Sequence, residues 1–77
     1  MRGQVWWLVG ASEGLGRALA QTMAAQGATL ILSARNRERL EPLAASLPGA
    51  RALAMDVTDP RSVQDAALAA GSVDGVI

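Results

Sequence analysis

Four short apolar runs, separated by three segments of helical period, leave this chain little choice of architecture. The runs are Gln4 to Val9 (QVWWLV), Ala28 to Ala34 (ATLILSA), Ala50 to Met55 (ARALAM) and Val73 to Ile77 (VDGVI). Each is short, and the first two are rich in the β-branched, aliphatic and aromatic residues of strands buried on both faces. Between them, apolar residues recur at helical spacing: Leu15, Ala18, Leu19 and Met23, then Leu40, Leu43, Ala44 and Leu47, then Val63, Ala66, Ala67 and Ala70. One face of each helix is thereby marked for burial. Gly27, the pair Pro48-Gly49 and Gly71 stand where the three helices should stop. Asn36 and Asp59-Pro60 stand where the second and third should start. Pro42 inside the second helix predicts a kink, or a helix proper that begins near Glu41.

A β-α-β-α-β-α-β order calls for an α/β fold with a parallel sheet and helices on its faces. Right-handed crossovers put the first two helices on one face as strands two and three build outward from strand one. If strand four returns to the other side of strand one, the order is 3-2-1-4, a partial doubly wound sheet. A crevice then opens where strands one and four diverge, at their carboxyl ends. Trp6 and Trp7 should point to opposite faces and serve as core residues.

At that crevice lies LVGASEGLGRALA, with Gly10, Gly14 and Gly16 at the handover from strand to helix. The first N–H groups of a helix lack intrahelical partners, and the helix dipole adds partial positive charge. A pyrophosphate placed there meets several donors at once, provided no side chain keeps it away. Gly10 is expected to bend the chain out of the strand, Gly14 to let a phosphate approach the backbone, and Gly16 to let the helix pack closely. Ser12 adds a hydroxyl, and Leu15 a backbone N–H with its side chain turned inward. The spacing is G-x-x-x-G-x-G, which differs from the commoner G-x-G-x-x-G; the flanking strand and helix supply the context that such a motif needs.

Two further positions belong to the same edge. A residue that reads the ribose is expected about 20 positions after the glycines, an acid for a 2′-hydroxyl or an arginine for a 2′-phosphate. Nineteen residues beyond Gly16 stands Arg35, preceded by Ala34, with no acid at either place. Arginine meets a phosphate with paired hydrogen bonds, which favours NADP over NAD. Arg37 and Arg39 fall on the solvated face of the following helix. After strand three comes Asp56-Val57, a carboxylate able to accept from the amine of adenine and a side chain able to cover its ring.

Taken together, GASEGLG, LSARN, MDVTD and VDGVI resemble, in order and spacing, the start of a short-chain dehydrogenase/reductase. The resemblance spans essentially all 77 residues. It implies a Rossmann-type sheet and a nicotinamide-dependent oxidoreductase acting on a carbonyl or alcohol. Gly10, Ser12, Gly14, Leu15 and Gly16 would meet the pyrophosphate, Arg35 the 2′-phosphate, and Asp56 and Val57 the adenine. Val9 stands where the family usually has a threonine. Glu13 stands where some NADP-preferring members carry a base, and facing the 2′-phosphate it would oppose Arg35.

What the family uses for chemistry, a tyrosine tuned by a lysine beside a serine, is missing. The chain has no tyrosine and no histidine, and all seven of its basic residues are arginine. Its serines lack a neighbouring base, and no metal-ligand spacing appears. Residues 1–77 are therefore expected to be the cofactor-binding, amino-terminal part of one dinucleotide-binding domain, cut before its catalytic half and inactive alone. The apolar, uncapped ending DGVI agrees with that expectation. A non-catalytic nucleotide-binding module or sensor is the alternative, and a fragment with no function of its own a third. A small-molecule substrate, and any oligomer, would belong to the complete protein.

Zero formal net charge gives no electrostatic reason to expect nucleic acid or an anionic membrane as partner. Arg2, the run Val5 to Ala11 and Ala18-Leu19-Ala20 imitate a secretory signal, but Glu13, Arg17 and three glycines interrupt it. No run approaches the ~18 apolar residues of a membrane span. With no cysteine in the chain, a cytoplasmic location is the expectation.

Overall fold

The computed structural model describes residues 2–10 and 14–77. Its elements follow the expected order: β1 (Val5–Val9), α1 (Gly14–Ala25), β2 (Thr29–Ala34), α2 (Arg37–Ala45), β3 (Arg51–Ala54), α3 (Pro60–Ala70) and β4 (Gly75–Val76). All pairings are parallel, and the strand order is β3-β2-β1-β4. Strand four lies on the other side of β1, and α1 and α2 share one face with α3 on the other, as right-handed crossovers require of this order.

Each face of the sheet carries its own core. On one, Leu8, Leu30 and Leu32 pack with Ala20 and Met23 of α1 and with Leu40, Leu43 and Ala44 of α2. On the other, Trp7, Ile31 and Met55 pack with Ala66 and Ala70 of α3. Trp6 joins the first core and Trp7 the second, as strand alternation requires.

Helix α1 corrects the expected stripe. Its inward positions are Ala20, Met23 and Ala24, whereas Ala18 is exposed, Leu19 lies at the margin and Leu15 is 91% exposed. The two patterns differ by one residue, a rotation of about 100° about the helix axis. Ala20, wholly buried against the sheet, and Met23 take the inner face, so the leucines turn outward. In α3 the expected stripe holds at Ala66 and Ala70, while Ala67 faces solvent.

Pro42 does not restart α2. The helix is continuous from Arg37 to Ala45, capped by Asn36, whose Oδ1 accepts the Glu38 N–H at 3.0 Å. Pro42 is exposed, so the Glu38 carbonyl that loses its N–H partner lies on a face water can reach. Asp59 caps α3 in the same way, accepting the Arg61 N–H at 3.0 Å with Pro60 opening the helix.

Strands β3 and β4 are shorter than their apolar runs, although the hydrogen bonding extends beyond them. The Met55 N–H donates to the Ala34 carbonyl, and the Ile77 N–H to that of Trp7. Asp74 fixes the start of β4 twice: its N–H donates to the Val5 carbonyl and its Oδ2 accepts the Val5 N–H, both at 2.7 Å. Among the described residues no helix is long and apolar enough to cross a membrane.

Candidate functional site

Because every strand is parallel, all carboxyl ends emerge along one edge. There the Gly10 N–H donates to the Ser33 carbonyl at 2.7 Å, and the Val9 N–H to the Ile77 carbonyl at 2.9 Å. Beyond this last rung the chain leaves the sheet, and α1 opens at Gly14.

Gly10 has φ +81° and Gly14 φ +57°, a region that residues with a Cβ enter only at a cost. Among the described residues, a Cβ at either would touch nothing within 4 Å. Backbone conformation demands glycine at both places. Since the first N–H groups of a helix have no intrahelical partner, such an opening fits a diphosphate. Gly16 is half-buried in the first turn of α1. Leu15 departs from expectation in its side chain, which points to solvent; its backbone N–H remains in the first turn. Ser12 and Glu13 lie outside the described residues.

A cleft of about 270 Å³ adjoins the turn, lined by Val9, Gly10, Ala34, Arg35, Met55, Asp56, Val57 and Thr58. The fold thus brings Gly10, Arg35, Asp56 and Val57 together from three strand ends that are far apart in sequence. Val57 is largely exposed.

Asp56 is built with care. Its Oδ1 accepts the Thr58 N–H at 2.9 Å and the Thr58 hydroxyl at 2.7 Å, and its own N–H donates to Ser62 Oγ on α3 at 2.9 Å. The Thr58 hydroxyl and then the Thr58 N–H hold the carboxyl below the ordinary aspartate value; desolvation opposes them, and the positive charge of Arg35 adds the smallest lowering. Both Thr58 bonds go to Oδ1, so Oδ2 is the oxygen open to a further donor. Sequence reasoning missed Thr58 and Ser62, although Asp-x-Thr after a strand is the pattern of a turn closed by an aspartate side chain.

Arg37 stands apart from this cleft. Its Nε bonds Glu41 Oε1 at 2.9 Å along the exposed side of α2, in line with its expected place on a solvated face. A second groove of about 440 Å³ runs between α3 and β3. Arg37, Asp59, Arg61 and Asp65 line it with charge of both signs, so it offers no net field to a phosphate.

The model of one protein family, described as short chain dehydrogenase, matches residues 4–77. The chain belongs to that family. Among curated short-chain dehydrogenase relatives it is similar to a sulfoacetaldehyde reductase of Chromohalobacter salexigens, 45% identical over 67 residues, covering 83% of this chain and 26% of that protein. A 3-ketoacyl-(acyl-carrier-protein) reductase of Brucella melitensis, solved with NADH, superposes with a TM-score of 0.91 at 30% identity, over 97% of this chain and 33% of that one. A short-chain dehydrogenase of Sphingobium yanoikuyae, solved with NADPH, gives 0.77 at 34% identity, over 80% and 26%. The chain therefore spans about a quarter to a third of the length of these family members.

Proposed function

We infer that these residues bind a nicotinamide dinucleotide, NADP(H) in preference to NAD(H), as the cofactor-holding part of an oxidoreductase that interconverts a carbonyl and an alcohol. The observation that carries the reading is the meeting of Gly10, Arg35 and Asp56 around one cleft at the carboxyl edge of the sheet. Arg35, with no acid beside it at the end of β2, suits a 2′-phosphate. The carboxylate of Asp56 suits the amine of adenine, with Val57 against the ring. Gly10, Gly14 and Gly16, the backbone of Leu15 and the hydroxyl of Ser12 serve the diphosphate. Related proteins solved with NADH and with NADPH support the class of ligand, and a relative named as a reductase supports the class of substrate.

The bound dinucleotide would supply the hydride. The chain's own residues bind and orient it, and none of the 77 can pass the accompanying proton in the family's manner, since tyrosine, lysine and histidine are absent. The 77 residues alone are accordingly expected to hold the cofactor without turning it over. Titration of the purified chain with NADPH and NADH, followed by nicotinamide fluorescence, tests the reading. Saturable binding with NADPH the tighter ligand is expected. No saturable signal with either, from a chain shown to be folded, defeats it.

A further inference from the structure

Ser33 is the one polar side chain wholly buried among the described residues. It stands on the α3 face of the sheet, between its register partners Val9 and Leu53. A hydroxyl buried among apolar groups is costly unless partnered, and its partner is Trp7, whose indole Nε1–H donates to Ser33 Oγ at 2.8 Å. The two are not opposite one another, because Trp7 pairs with Ile31 and Val9 with Ser33. The indole therefore reaches diagonally, two residues along, toward the carboxyl edge. The carbonyl of the same Ser33 accepts the Gly10 N–H. A β-branched residue at position 33 would serve the sheet as well by propensity; what the hydroxyl adds is a directional tie.

We propose that the Trp7–Ser33 pair positions the glycine turn: the indole fixes the end of β2 against β1, and the Ser33 carbonyl so fixed holds Gly10 where the turn begins. Trp7 also accepts the Ile77 N–H on its carbonyl, so this one residue ties both neighbouring strand ends. Trp7 and Ser33 are positioning residues that touch no ligand. The consequence for affinity rests on the nucleotide reading above, whereas the mechanical claim does not.

The test is amide hydrogen exchange by NMR on the cofactor-free chain, in the wild type and in Trp7→Phe, Ser33→Ala and Ser33→Thr. The reference is the Thr29 N–H, which donates to the Gln4 carbonyl at the far end of the same strand pair. Loss of one buried hydrogen bond should speed Gly10 exchange by roughly three- to tenfold in Trp7→Phe and Ser33→Ala, with Thr29 unchanged and Ser33→Thr restoring the wild-type rate. The Trp7 indole N–H resonance should shift in Ser33→Ala and return in Ser33→Thr. If Trp7→Phe fails to fold, the serine pair carries the test. Equal acceleration at Gly10 and Thr29 would reveal mere global destabilisation, and an unchanged Gly10 rate in folded variants would show that the pair positions nothing; either overturns the proposal. Weakened NADPH binding in step with Gly10 exchange is the further expectation. A wild-type chain that binds no nucleotide, with Gly10 exchange responding as described, would refute the functional reading and leave the positioning role standing.

Discussion

The ring of Trp6 occupies the space where Gly75, its register partner on β4, would carry a side chain. A Cβ at Gly75 would lie 2.6 Å from Trp6 Cη2, well inside contact distance. Gly75 has no positive φ, so the requirement for glycine there is steric. Gly75→Ala should destabilise the chain by about 1–3 kcal/mol, the usual range for overpacking, as read from denaturant unfolding. Combined with Trp6→Leu, which clears the space, the alanine should cost much less than it does alone.

Gly14→Ala tests the opposite kind of glycine. No described residue crowds the position, but φ +57° places an alanine in the left-handed region, at a cost of about 1–2 kcal/mol. The new methyl would also stand beside the first-turn amides of α1. NADPH affinity should fall about tenfold or more, the scale of one lost hydrogen bond to a charged group, as measured by isothermal titration.

Arg35→Asp addresses cofactor choice. Removing the guanidinium and placing a carboxylate near a 2′-phosphate should weaken NADPH by on the order of 30-fold or more, while NADH changes by about threefold at most. Equal losses for both nucleotides, in the same fluorescence titration, would mean that Arg35 does not read the phosphate.

Asp56 predicts a pH response of known sign. Its folded-state pKa is lowered, chiefly by the Thr58 hydroxyl and N–H. Its contribution to stability is then complete above the unfolded-state value and is lost as pH falls through the folded one. The carboxylate stays ionised across neutral and mildly acidic pH, so its share of adenine binding should be flat there. Carboxyl-carbon NMR should place the Asp56 midpoint below the ~3.9 of an unperturbed aspartate. Thr58→Val, which removes only the hydroxyl bond, should raise it toward that value.

The order of the elements could be read directly from the residues. Apolar runs such as QVWWLV, helix starts such as Asp59-Pro60 and helix stops such as Gly71 are local signals, governed by a few neighbouring side chains. Crossover handedness then assigned the helices to faces, whereas the return of strand four beside strand one, which makes the order 3-2-1-4, was only a condition until the structure met it. Gly10, Arg35 and Asp56 could be named because each follows a strand, and parallel strands deliver their carboxyl ends to one edge.

Tertiary structure alone decided which way α1 faces. In a helix of alanines, leucines and glycines, periodicity gives the spacing of a stripe but not its phase. Ala20 went inward because the sheet admits a closer helix over a small residue, and Leu15 went out. The Trp7–Ser33 bond and the Trp6 ring over Gly75 likewise depend on register between segments distant in the chain. Such contacts are set when the sheet assembles, since a hydrogen bond between side chains 26 residues apart has no local signature.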